Sequence, residues 1–193
     1  MQQIPLIVGL GGTTRSGSTS ERAMLAALDR AKALGCETLA FGAGSLPLEP
    51  YDPGNPARSE QAQALVAALK RADGVIWVSP AYHGGVSGLM KNAIDFVEDL
   101  RTDTRVYLQG RAVGSIVCAD GPQAMGSTLA SLRAIVHSLR GWPTPFGAAL
   151  NSSTRPFGAE GQAADPAALQ ACHTVADEVV MFARLMLAAK AAT

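Results

Sequence analysis

The sequence predicts an open α/β fold: a parallel sheet covered on both faces by helices. Three observations predict it. The order strand-then-helix occurs five times along the chain. The strongest strand, Val75-Ile76-Trp77-Val78-Ser79, is apolar without a break until Ser79, which implies burial on both faces. The first, third and fourth strands each end in a polar, glycine-bearing loop, and a parallel sheet brings such loops to one edge. The 193 residues suit one domain, 1–193, with no internal repeat and no shift in composition.

The elements follow in order. Ile4–Leu10 reads as a buried strand with Pro5 near its start. Gly11 and Gly12 then allow a tight turn and a close approach. Arg22 to Leu34 has helical spacing and stops at Gly35. Cys36–Phe41 is a second strand. Gly42 to Pro56, rich in Gly and Pro, reads as a long ordered loop with Tyr51 partly packed. Ala57 to Ala72 is a helix with its stripe at Leu65, Val66 and Leu69. Asp73-Gly74 turns into the third strand. That strand ends in the loop Pro80–Gly85, and a helix runs from Val86 to about Leu100. Arg111 to Ala119 is the fourth strand, ending in Asp120-Gly121-Pro122-Gln123, and Ala124 to Leu139 is helical. Trp142 to Leu150 is the last strand, weakened by Pro143 and Pro145. Asn151 to Asp165 is loop. Pro166 opens a long helix to about Ala189, proline being suited to a first helical position.

The totals bound the function. Net charge is +0, so no basic excess points to nucleic acid or an anionic membrane. No apolar run approaches the roughly 20 residues of a membrane span. The start, Met-Gln-Gln, lacks positive charge, and the apolar run after it is too short for a signal peptide. Cys36, Cys118 and Cys172 are odd in number and far apart, without metal spacing, and read as buried reduced thiols of a cytoplasmic protein. Hydrophobic residues make up 48% and charged residues only 17%, against roughly 25% charged in an average soluble domain. The last helix carries Val175, Val179, Phe182 and Met186 on one face, widened by Val180, Met181, Leu185 and Leu187. Both features suit a subunit interface. His137 and His173 lie on helices away from the three loops and read as surface or interface residues.

The chemistry concentrates in the loop after the first strand. Thr13, Thr14, Ser16, Ser18, Thr19 and Ser20 supply hydroxyls, and Arg15 the only cation. A strand, a hydroxyl-rich loop and a helix N-terminus together make an anion site. A dinucleotide fingerprint fits poorly, since Thr14 takes the third glycine position and no carboxylate closes the next strand. A nucleotide-triphosphate loop also fails, since Ser18 stands where its lysine belongs. A monophosphate cradle of hydroxyls, backbone amides and one arginine fork fits best. An ordinary Ser/Thr loop with Ser18 or Ser20 as helix N-cap has the same composition.

With the loops in place, the sequence resembles the NAD(P)H-dependent FMN reductase family, over roughly residues 4–150. The family's G-S-x-R-x-x-S-x-N reads here Gly12-Thr13-Thr14-Arg15-Ser16-Gly17-Ser18-Thr19-Ser20. Its P-x-Y-N, then P-G-x-L-K-N-x-x-D, reads Pro80-Ala81-Tyr82-His83, then Ser87-Gly88-Leu89-Met90-Lys91-Asn92-Ala93-Ile94-Asp95. His83 stands for an asparagine and Met90 for a leucine. The resemblance implies a flavodoxin-like, doubly wound, five-stranded parallel sheet of order 2-1-3-4-5. It also implies non-covalent FMN at the sheet edge. Thr13, Arg15, Ser18, Thr19 and Ser20 would meet the phosphate. Pro80, Ala81, Tyr82, His83 and Gly84 would line the ribityl chain and ring. Ala119, Asp120 and Gly121 would reach the pyrimidine side.

The expected function is therefore hydride transfer from NADPH or NADH to the flavin, with reduced flavin passed to a partner monooxygenase. The alternatives are a quinone, azo or metal-oxyanion reductase, an electron-carrier flavodoxin, or a flavin-free interaction protein. The flavin carries the chemistry, so no side-chain nucleophile, acid pair or metal is required. His83 suits a hydrogen bond to the ring, a proton source, or a structural substitute for asparagine. Tyr82 suits a place near the flavin or at the core edge. Asp120 suits an acceptor for the ring or a turn former. Lys91 and Asp95 are spaced to pair on one helix. Homodimers and tetramers occur in the resembling family, often with the flavin close to a neighbouring subunit.

Overall fold

The computed structural model describes residues 3–158 and 161–192. Met1 and Gln2 of the expected start, Ala159 and Glu160 of the loop before the last helix, and Thr193 lie outside the described residues.

The strands are β1 (Leu6–Gly11), β2 (Glu37–Phe41), β3 (Gly74–Tyr82), β4 (Gly85–Val86), β5 (Ala112–Ala119), β6 (Trp142–Pro143) and β7 (Ala148–Asn151). The helices are α1 (Thr19–Ala33), α2 (Glu60–Arg71), α3 (Gly88–Asp95), α4 (Pro122–Ser138) and α5 (Pro166–Ala191), with 3-10 turns at Phe96–Leu100 and Ser152–Thr154. The main path of the sheet is β2-β1-β3-β5-β6, with β7 also on β5. All these pairings are parallel. Counting β6 and β7 as one interrupted strand, this is the expected doubly wound order.

Strand alternation assigns the two faces. Leu6, Val8, Leu10, Val75, Trp77, Val113 and Val117 point to α2, α3 and α4. Ile7, Ile76, Val78, Ala112, Ile116 and Cys118 point to α1 and α5. Every β1 and β5 residue is buried, as a strand covered on both faces requires.

Among the boundaries that differ from the sequence expectation, those of the last strand and of the second loop shape the site edge. The last strand is not continuous from Trp142 to Leu150. Val113 pairs with Pro143 and Ile116 with Ala148, so two β5 residues face four on the partner. Pro143 and Pro145 have no N–H for the ladder, and Phe146 gives its N–H to Glu178 Oε2 at 2.9 Å. The Pro80–Gly85 loop is a hairpin: β3 continues to Tyr82, and Ala81 and Tyr82 pair antiparallel with Val86 and Gly85. Its two tip residues, His83 (φ 54°) and Gly84 (φ 79°), both have positive φ, the signature of a two-residue primed turn. The helix after it therefore starts at Gly88 and tightens to a 3-10 turn from Phe96.

The loop expected over Gly42 to Pro56 is ordered and runs on to Ser59, since α2 starts at Glu60 and not at Ala57, and its anchors are visible. Asn92 Oδ1 accepts from Tyr51 N at 2.8 Å, and Asn92 Nδ2 donates to Glu49 O at 2.9 Å. The Tyr51 ring meets Phe96 edge-on at 5.3 Å. Lys91 and Asp95 pair at 2.5 Å.

Candidate active site

A cleft of about 540 Å³ opens at the carboxyl ends of β1, β3, β5 and β7. That volume lies within the roughly 300–1,000 Å³ of small-molecule and cofactor sites. Its walls include Thr13, Arg15, Ser18, Thr19 and Ser20 from the first loop. Pro80, Ala81 and Tyr82 come from β3, and Ala119, Asp120 and Gly121 from the end of β5. The parallel sheet thus brings eleven of the thirteen sequence-predicted residues together. His83 and Gly84 do not line the cleft; they form the hairpin tip, where His83 is exposed.

The first loop is built around the start of α1. Ser18 is the N-cap, its Oγ accepting from Glu21 N at 3.2 Å. Arg22 N closes the first helical bond on Ser18 O at 3.0 Å. Among the described residues, the N–H groups of Thr19 and Ser20 donate to no protein acceptor. Both belong to the first turn of α1, where the helix dipole favours an anion. Thr13 Oγ1 accepts from Arg15 N at 3.1 Å, turning the loop so that Arg15 lies exposed at the rim. Ser18 and Ser20 hydroxyls lie 3.3 Å apart, both buried. Unspent amides, several hydroxyls and one guanidinium are the donor set that a monophosphate needs. The residues present fit FMN.

The second loop is locked to the first. Ser87 caps α3 and donates its hydroxyl to Gly12 O at 2.7 Å, while Ser87 N donates to Ser79 Oγ at 3.1 Å. Ser127 Oγ on α4 donates to Gly84 O at 2.8 Å and ties down the hairpin tip. Tyr82 stands 63% exposed beside the cleft, free of the core-edge packing that the sequence also allowed.

Thr14, one of the hydroxyl residues of the first loop, also lines the cleft, and three further lining residues were not singled out from sequence as site residues: Cys118, Ala124 and Ser152. Ser152 follows β7, whose parallel pairing of Ala119 with Asn151 carries its end to the same edge. The loop after the last strand was the signal for it. Cys118 is a neutral wall: burial pushes its thiol well above the usual range. Cys36 and Cys172 are likewise buried and free, and burial pushes Cys172 up to about 12. His137 is exposed on α4 and His173 half-buried on α5, and neither lines the cleft. Among the described residues no group of His, Cys, Asp or Glu is placed to hold a metal, and no helix is long and apolar enough to cross a membrane.

Known structures share this architecture. The chain is similar to FerB, a flavoenzyme NAD(P)H:(acceptor) oxidoreductase from Paracoccus denitrificans. The TM-score is 0.75 at 18% identity, over 93% of this chain and 97% of that one. It is similar to the NADH:FMN oxidoreductase EMOB, with TM-score 0.67 at 18% identity over 92% and 89% of the two chains. It is also similar to a WrbA-like flavodoxin protein from Agrobacterium tumefaciens, with TM-score 0.61 at 18% identity over 94% and 97%. At such identities the likeness is one of fold. No curated protein matches the chain by sequence. The model of the NADPH-dependent FMN reductase family matches residues 5–155, the span that holds the loop after β1, the hairpin, the end of β5 and Ser152. By that match, the chain belongs to the NADPH-dependent FMN reductase family, enzymes that use FMN with NAD(P)H as electron donor.

Proposed function

We propose that the cleft holds FMN with its phosphate at the α1 N-terminus, and that reduced flavin is then released to a partner flavin-dependent monooxygenase. The observation that carries this is the pair of unspent N–H groups at Thr19 and Ser20, inside a ring of hydroxyls from Thr13, Thr14, Ser18 and Ser20. Arg15 supplies the counter-charge at the rim. When bound, FMN supplies the hydride chemistry between the nicotinamide and the acceptor. The chain's own part is to bind and to orient. Pro80, Ala81 and Tyr82 flank one side of the cleft, and Ala119, Asp120 and Gly121 the other, where small residues let backbone approach a flat ring. Asp120 is exposed and offers a carboxylate acceptor to the pyrimidine edge. The His83 and Gly84 backbone at the hairpin tip shapes the rim.

Release of the flavin is supported by the open rim, where Arg15 and Tyr82 both remain exposed. A cytoplasmic setting is supported by three free, buried thiols. A homodimer is supported by Met181 and Leu185, which stand 58% and 61% exposed on α5, and by Trp142, 59% exposed at the sheet edge and packed on Phe182 at 5.6 Å between rings. A monodisperse, fully active monomer at micromolar concentration would rule the dimer out.

The deciding experiment is NADPH and NADH oxidation by the purified protein, with and without added FMN, followed with the flavin absorbance. Turnover that rises with free FMN and saturates supports release. A yellow protein on which added FMN has no effect points to a resident flavin and another acceptor. A bound flavin that neither nucleotide reduces overturns the reductase function.

A further inference from the structure

We propose that Glu21 is the positioning residue of the phosphate loop: its carboxylate, held between two strand-end loops, sets the loop shape that lets the protein tell FMN from riboflavin. The proposal rests on the phosphate cradle described above.

The spacing Ser18-x-x-Glu21 is that of a capping box, in which the glutamate ordinarily turns back to the N-cap amide. Here it reaches further. Glu21 Oε2 accepts from Gly17 N at 2.6 Å, and Oε1 accepts from Ala43 N at 3.2 Å. One carboxylate therefore ties the loop after β1 to the loop after β2.

The receiving side is built for it. Ser45 Oγ accepts from Gly42 N at 2.8 Å, and Ser45 N donates to Gly42 O at 3.1 Å, which fixes the turn that presents the Ala43 amide. Gly42 has no side chain to obstruct the carboxylate: a Cβ there would lie 2.9 Å from Glu21 Oε1.

The clamp also settles an electrostatic conflict. A carboxylate in the first turn of α1 is favoured by the helix dipole, yet it lies beside the place for a phosphate dianion. Untethered, it would compete for the amides of Thr19 and Ser20. Held by Gly17 and Ala43, it leaves both for the phosphate and keeps the loop ordered before the ligand arrives. The two charge-assisted hydrogen bonds that order the loop outweigh a solvent-screened repulsion.

The test measures dissociation constants of FMN and riboflavin by flavin fluorescence quenching, for the wild type, Glu21→Gln, Glu21→Ala and Gly42→Ala. Riboflavin lacks only the phosphate, so its affinity reports an intact ring site and a folded protein. Glu21→Ala is expected to weaken FMN about tenfold, or about 1.4 kcal/mol, with riboflavin within about twofold of wild type. Gly42→Ala, which displaces the carboxylate without removing it, is expected to shift FMN in the same direction. Glu21→Gln keeps one acceptor and should fall between. FMN bound as tightly or more tightly by Glu21→Ala or Glu21→Gln would overturn the proposal, because the carboxylate would then be only repulsive. Equal loss of both flavins would overturn it too. A wild type that binds FMN no better than riboflavin would instead remove the phosphate cradle itself, whatever Glu21 does.

Discussion

The Ser87 hydroxyl donates to the Gly12 carbonyl at 2.7 Å, across 75 positions of sequence. This bond joins the loop after β1 to the cap of α3, and it requires a bare backbone at Gly12. A Cβ at that position would lie 2.6 Å from Met90 Cβ and 2.7 Å from Ser87 Oγ. Gly12→Ala is expected to destabilise the fold by about 1–3 kcal/mol through overpacking, and Ser87→Ala by about 1–2 kcal/mol through a lost cap. Urea denaturation measures both. Wild-type stability in Gly12→Ala would show that the contact relaxes freely.

Arg15 is the cation of the proposed phosphate cradle, with its backbone set by the turn onto Thr13 Oγ1. Arg15→Ala should weaken FMN at least about tenfold and leave riboflavin unchanged. Equilibrium binding of the two flavins decides it. A parallel loss of riboflavin would mean that the arginine supports the ring site instead.

Arg111 is completely buried, and its charge is met by carbonyls. Nε donates to Ala72 O, Nη1 to Tyr107 O and Nη2 to Lys70 O, each at 2.9 Å. Burial lowers its pKa to about 10, so it is still charged at neutral pH. Two of those carbonyls close the C-terminal end of α2, where the dipole favours a cation. Arg111→Met takes the side-chain donor from Ala72 O and Tyr107 O, while Lys70 O keeps Arg105 Nη2 at 2.8 Å, and should cost about 3 kcal/mol in a denaturation experiment. FMN affinity should hold in the folded fraction, because the residue precedes β5, at the opposite end of that strand from the cleft.

Asp99 takes a two-bond fork from Arg58, Nε to Oδ2 and Nη2 to Oδ1, both at 2.8 Å. Arg58 holds the Asp99 carboxyl below the usual carboxylate range. The unfolded chain therefore takes up the proton first. The stabilisation is complete above the ordinary aspartate pKa of about 3.9 and is lost as pH falls through the lower folded value. The stability gap between wild type and Asp99→Asn should thus be open at pH 7 and closed well below pH 4. A gap that persists in acid would assign the effect to packing.

His83 occupies the first position of a primed turn, with φ 54°. Asparagine enters that backbone region more readily. His83→Asn should leave the thermal midpoint unchanged or slightly raised and the rate of flavin reduction unchanged. A fall in that rate, or a shift in its pH profile, would give the imidazole a part in the chemistry.

The turn bears on a substitution with three readings in the sequence: His83, where the family's motif has asparagine, suits a ring ligand, a proton source or a structural substitute. Its positive φ, 54°, is a backbone region that asparagine shares, which favours the structural substitute. Asn92 teaches the same lesson, since it spends its amide on the loop at Glu49 and Tyr51.

What the chain order determined by itself was the sheet and its edge. Strand burial, helix periodicity and caps are properties of neighbouring residues, so β1, β3, β5 and a serine cap for α1, at Ser18 or Ser20, were legible locally. A parallel sheet then forces the ends of β1, β3 and β5 together, which is why most of the cleft could be named. What only the tertiary structure decided were the contacts between segments distant in sequence. Ser152 joins the cleft because β7 pairs with β5. Glu21 bonds Ala43 because β2 lies beside β1. The last strand breaks because Pro143 and Pro145 offer no donors and Phe146 N turns to Glu178. Local sequence sets each residue's preference for helix, strand or turn, but which distant amide a carboxylate finds depends on the path of the whole chain.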